Sequence, residues 1–189
     1  MECVAVRLFL SKDAMTPRFF YGLWFVLVLV LFGWTGGAGW ARTSEPAWQS
    51  AWVSWVMDGD TVLVVLDGQH EPVKLRIDGI DAPESCQPGG EAARNVMLDL
   101  VMRKAVQVRV DGHDTYGRAV GRLSVNGLDV GAEMVRLGMA WAYRFHTGRG
   151  PYAALQRQAQ AQRAGLFGDK SHAMSPPVFR KFHGTCHGA

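Results

Sequence analysis

PVKLRIDGIDAPES, residues 72–85, specifies both a β-strand and the point where that strand must end. Val73, Leu75 and Ile77 fall on one face at the two-residue period of an extended chain, and Lys74, Arg76 and Asp78 fall on the other. Arg76 therefore points away from the apolar face. Pro83 prevents the segment from continuing as a regular strand. Downstream, GRAVGRLSV (117–125) repeats the alternation, with Ala119, Gly121, Leu123 and Val125 inside and Arg118 on the opposite row. Two arginines on the polar faces of two strands are placed to converge on one anion. Upstream, SAWVSWVM (50–57) leads through the turn Asp58-Gly59-Asp60 into TVLVVL, a β-rich run. Trp48, Trp52 and Trp55 also fit helical spacing, so strand and helix both remain open at 52–57.

Between the two arginine-bearing strands the pattern changes to a helix over roughly Gly90 to Lys104. Ala93, Val96, Met97, Leu100 and Val101 form its buried stripe, with Glu91 in the first turn and Arg103 and Lys104 in the last. Asn126-Gly127 closes a tight turn. Asp129 then caps a second helix reaching about Leu137, with Val130, Met134 and Leu137 as its stripe. A third helix is expected from Pro151 to Gly165. Short twisted strands around one helix, with further helices appended, predict an OB-like barrel in an α+β domain. Residues after about Gly168 read as a loose tail.

The charged residues stand where the strands end. Asp60 opens one strand and Asp81 follows the strand that carries Arg76. Either alone is an ordinary turn residue. Together, with the main-chain oxygen of Ala82, they make a small oxygen-rich pocket suited to weak Ca2+ binding, with positions left for water and a phosphate oxygen. Asp58 fits the role of orienting waters around such an ion. Glu84 is either a solvated loop carboxylate or a general base acting on a water beside the metal. Arg76 and Arg118 are either surface cations or a phosphate clamp with paired donors that lysine does not offer.

The chain has 189 residues, 48% of them hydrophobic, which suffices for one globular domain with a real core. A net charge of +3 permits a polyanionic substrate without demanding one. The first 41 residues read as a secretory signal peptide: Arg18, an apolar run from Phe19 to Trp34, then small residues with cleavage after Ala41. Met15 is an alternative start. An uncleaved anchor over 19–34 is the competing reading, although the run is shorter than the roughly 20 residues a spanning helix needs. Residues 42–49 serve as a linker, 50–168 as the domain and 169–189 as the tail. Export to a secreted or periplasmic location would remove Cys3, leaving Cys86 and Cys186 either as a disulfide or as two free thiols.

VMDGDTVLVVLDG, VKLRIDGIDAPES, GGEAARNVMLDLV and DTYGRAVGRLSVNGLDVGAEMVRLGMAWAY, in that order, resemble the staphylococcal nuclease (thermonuclease) family over roughly residues 50–168. The resemblance implies a five-stranded OB-fold barrel with three helices, and Ca2+-dependent cleavage of DNA and RNA leaving 3′-phosphate ends. Carried over by position, the catalytic trio falls on Arg76, Glu84 and Arg118, and the calcium ligands on Asp60, Asp81 and the carbonyl of Ala82. Tyr116 matches a nucleotide-holding tyrosine. Tyr143 matches a second one, with a one-residue ambiguity in its alignment. Thr115 replaces a lysine of the family pattern, which removes one cation near the phosphate. No protein partner is called for, and a monomer is expected.

Three competing readings stand beside this one. The barrel could be an inactive module that binds nucleic acid or protein, although such relatives typically lack one or more of the five charged positions present here. His183, Cys186 and His187, with His172 nearby, offer soft ligands in the tail, but at no structural zinc spacing. Trp48, Trp52 and Trp55 could stack bases, but are expected to pack against the barrel wall. His113 and His146 are read as incidental neighbours of the site.

Overall fold

The computed structural model describes residues 46–144, 150–169, 174–184 and 186. The apolar run at 19–34 and the proposed cleavage site lie outside that set. Among the described residues no helix is long and apolar enough to cross a membrane.

In chain order the elements are β1 (Gln49–Val56), β2 (Thr61–Leu66), β3 (Val73–Ile77), the short β4 (Ile80–Asp81), helix α1 (Gly90–Val101), β5 (Ala105–His113) and β6 (Ala119–Val125). The short β7 (Leu128–Asp129), α2 (Val130–Arg136), the short β8 (Trp141–Ala142), α3 (Ala153–Ala161), a 3-10 turn (Gly165–Gly168) and α4 (Pro176–His183) follow. Antiparallel pairings run β3-β2-β1-β5-β6, and β6 returns parallel to β3. That last pairing closes the sheet into a five-stranded OB-type barrel and leaves its strands without a free edge.

The inward rows are the ones the alternation predicts. Leu75 and Ile77 of β3 and Ala119 and Leu123 of β6 are almost fully buried, and they join Val53, Val62, Val64 and Val108 in one core. Ala93, Met97 and Val101 of α1 and Val130, Met134 and Val135 of α2 complete it. Gly59 is required because a β-carbon there would sit 2.7 Å from that of Ala82 and 2.9 Å from that of Ala93. Gly79 turns the chain between β3 and β4 at φ +80°, a region that disfavours residues with a side chain.

Helix boundaries differ from the sequence reading. α1 ends at Val101 because Met102 is already extended and Arg103 adopts φ +59°. Lys104 still caps it from outside, its Nζ donating to the carbonyls of Asp99 and Leu100 at 2.6 and 2.9 Å. The third helix is shorter than Pro151–Gly165 and hands over to the 3-10 turn. A fourth helix, α4, replaces the expected loose tail: Pro176 and Pro177 begin it and Phe179 is buried.

The tryptophan expectation is overturned. β1 is a strand whose inner residues are Ala51, Val53 and Val56, with an irregularity between Val53 and Trp55. Trp52 and Trp55 are therefore left outside and are more than half exposed. Arg94 lies over Trp55 at 5.4 Å and Arg109 over Trp48 at 5.6 Å.

Candidate active site

Strand register assembles the acidic wall. β2 and β3 pair with Thr61 opposite Arg76, which raises Arg76 beside Asp60 at the strand mouth. The Ile77 amide donates to the Asp60 carbonyl at 2.8 Å. One carboxylate oxygen of Asp60 accepts from the Thr61 hydroxyl at 2.9 Å, and the other accepts from the Ala82 amide at 2.9 Å. Asp60 thereby ties the β2 mouth to the segment after β4. Arg76 lies 3.5 Å from Asp60 and 3.1 Å from Asp81, and its other terminal nitrogen donates to the carbonyls of Ile77 and Ile80. Asp81 is held by the β4–β8 pairing, opposite Trp141. Both carboxylates are buried.

Glu84 stands on the loop after Pro83, its amide donating to the Gln87 side chain at 3.3 Å. The second arginine is aimed by its own turn. Asp114 accepts the amides of Tyr116 and Arg118 on one oxygen, at 2.9 and 3.0 Å, and the Arg118 Nε on the other at 2.7 Å. The Arg118 guanidinium lies 5.7 Å from the ring centre of Tyr116, which is highly exposed. Tyr143 is half-exposed, and its amide donates to the Gly79 carbonyl at 2.8 Å.

Asp60, Arg76, Asp81, Ala82, Glu84, Tyr116, Arg118 and Tyr143 line one cleft of about 700 Å³. The structure thus brings these residues, singled out in the sequence, onto a common surface, and Asp58, Lys74, Asp114 and Arg180 line the same cleft. Sequence reasoning passed over Asp114 and Arg180. The first had a readable signal, an Asp four residues before the arginine in a turn closed by Gly117. The second had none, because its segment was read as tail. His113 is not on the cleft, and His146 lies outside the described residues.

Crowded carboxylates shape the electrostatics. Burial, reinforced by the charge of Asp60, pushes the Asp58 carboxyl up to about 7, while its oxygen accepts the Asp60 amide at 2.9 Å. Burial also raises Asp81, against the opposing pull of Arg180 and Arg76. Arg76 loses stabilisation of its charge to burial but is driven further up by Asp60 and Asp81.

Among the described residues no three His, Cys, Asp or Glu side chains form a ready metal cage. The cleft offers the carboxylates of Asp60 and Asp81, and Ala82 lines it beside them. These are hard donors, fitting Ca2+ rather than a soft metal. The soft-ligand reading of the tail fails, because Cys186 is bonded to Cys86 with their Cα atoms 5.7 Å apart. His183 stacks on Phe179, and His172 and His187 lie outside the described residues.

A closed OB-type barrel with carboxylates and guanidiniums on one cleft has the parts of a phosphodiester hydrolase. Residues 74–169 match the family model described as staphylococcal nuclease homologue, and the chain belongs to that family. It is 40% identical over 152 residues to "Protein ParB" of Escherichia coli, covering 73% of this chain and 84% of that protein. Similarity to the "Micrococcal nuclease" of Shigella flexneri is 37% over 152 residues, covering 73% and 85%. An "Uncharacterized endonuclease" of Haemophilus influenzae is 33% identical over 126 residues, covering 67% and 70%. The chain is accordingly a hydrolase of the nuclease class.

Proposed function

We propose that this chain is a Ca2+-dependent nuclease that cleaves phosphodiester bonds in DNA or RNA and leaves 3′-phosphate ends. One observation carries the reading: Arg76, Arg118 and Glu84 stand with Asp60 and Asp81 on the walls of a single cleft. Asp60, Asp81 and the Ala82 carbonyl would hold the ion. Once bound, Ca2+ supplies Lewis-acid stabilisation of charge on a phosphate oxygen.

The remaining work falls to the chain itself. Arg76, anchored to the Ile77 and Ile80 carbonyls, presents a fixed positive charge to the phosphate. Arg118 approaches from the β6 side and compensates the charge that builds on the phosphate oxygens as the attacking oxygen adds. Glu84 accepts the proton of the attacking water. Tyr116 and Tyr143, exposed at the rim, flank the nucleotide. An apolar N-terminal run and a disulfide-joined cysteine pair support export, with action outside the cytoplasm as a monomer.

The test is a nuclease assay on the chain starting at Arg42, with single- and double-stranded DNA and RNA, in Ca2+ and in chelator. Cleavage that needs Ca2+, and products whose 3′ ends must be dephosphorylated before a polymerase extends them, are expected. Undiminished cleavage in chelator, or products carrying 5′-phosphate, would remove the calcium and product assignments. N-terminal sequencing of exported protein should begin at Arg42.

A further inference from the structure

Arg180 of α4 is a charged cleft residue that the proposed chemistry does not use. One terminal nitrogen donates to Asp81 at 3.2 Å and to Glu84 at 2.9 Å, and the other donates to the second oxygen of Asp81 at 2.9 Å. Both oxygens of Asp81 are therefore engaged by this guanidinium. So is Glu84, the carboxylate assigned to accept the water's proton.

The helix bearing Arg180 is fastened to the site loop at both ends. Before α4, the Gln87 side-chain amide donates to the Met174 carbonyl at 2.6 Å. After α4, Cys186 is bonded to Cys86, two residues beyond Glu84. Between these fastenings Phe179 is buried and Arg180 reaches into the cleft. A side chain tethered this closely has a high effective concentration at its target and returns whenever a competitor leaves.

We infer that α4 is a strap whose Arg180 guanidinium competes with the divalent cation for Asp81 and holds Glu84 while it is there. The inference rests on Asp60 and Asp81 being the ion's ligands. Arg76 already donates to one oxygen of Asp81 at 3.1 Å, so a divalent ion entering there meets two guanidiniums and is repelled by both. Arg76 is anchored by the Ile77 and Ile80 carbonyls as well, whereas Arg180 is held in the cleft through Asp81 and Glu84, so Arg180 is the one that gives way. Ion binding and displacement of Arg180 are thus one equilibrium, and the strap raises the Ca2+ concentration at which the cleft is armed. The Cys86–Cys186 bond limits how far Arg180 withdraws when it lets go.

Calorimetric titration of Ca2+ into the calcium-stripped chain, without nucleic acid, tests the inference on the wild type, Arg180→Met, Arg180→Lys and Cys186→Ser. Arg180→Met should bind Ca2+ about tenfold more tightly, the scale of one lost charged hydrogen-bond set. Arg180→Lys should stay nearer the wild type. Cys186→Ser should tighten binding by less than Arg180→Met, and it serves alone if the methionine variant does not fold. Unchanged or weaker binding in folded Arg180→Met, or in Cys186→Ser if that stands alone, would overturn the strap and make Arg180 a holder of the carboxylates. Absence of Ca2+ binding in every form, with cleavage retained, would instead remove the calcium reading and the strap with it.

Discussion

Arg118 owes its direction to Asp114, which fixes the turn on one oxygen and the guanidinium on the other. Truncating Arg118 removes a donor aimed at the charge that builds up during phosphoryl attack. Arg118→Ala should lower kcat by about 10²–10³-fold while leaving the unfolding midpoint in urea near that of the wild type. A turnover close to wild type would move Arg118 out of the site. Asp58 gives a second expectation at this scale. Its folded-state pKa near 7 lies above the ordinary 3.8 because burial and Asp60 disfavour the charge. Over that window the folded protein holds a proton that the unfolded chain has released. Its contribution to the stability of metal-free protein is complete below about pH 4 and is lost as pH rises through 7. Asp58→Asn should therefore be more stable than wild type by about 1–3 kcal/mol at pH 8 in chelator, with no such gain near pH 4. Urea unfolding at the two pH values checks this, and an equal gain at both would assign the effect to packing.

At the scale of elements, Asp129 joins two helices. Its side chain accepts the Ala132 amide at 3.0 Å as the N-cap of α2, and it accepts the Tyr152 hydroxyl at 2.8 Å from just before α3. Asp129→Ala should cost about 2 kcal/mol, combining a lost cap with a buried hydroxyl left unpaired. Chemical denaturation measures the loss. A cost below about 0.5 kcal/mol would mean that water replaces both bonds. The α1 and α2 stripes and the Asp129 cap were legible because each is a local periodic signal. α4 was not legible: eight residues with two buried carry too little pattern to separate a helix from a tail. The tryptophans misled for a related reason, since their spacing fits a helix while the strand that carries them turns them outward.

For the whole molecule the decisive contact is barrel closure. Leu75 is fully buried and pairs with Val62 on one side and Ala119 on the other, joining the first half of the barrel to the last strand. Leu75→Ala should destabilise the protein by about 3–5 kcal/mol through the cavity it leaves. A loss under about 1 kcal/mol in urea unfolding would show that the core collapses to fill the space. Closure also places Arg118, at the head of β6, on the same cleft as Arg76 of β3.

The sequence by itself determined β2, β3 and β6, the first two helices with a longer outline of the third, and the chemical types of the site, because alternation, caps and turn residues act within a few neighbours. It also named Asp58, Asp60, Arg76, Asp81, Glu84 and Arg118, which end up on the cleft. Only the tertiary structure decided that Asp114 aims Arg118 and that Arg180 rests on Asp81 and Glu84. The latter contact spans nearly a hundred residues and follows from where a closed barrel and a disulfide put the tail. No local rule carries information across that distance; only packing does.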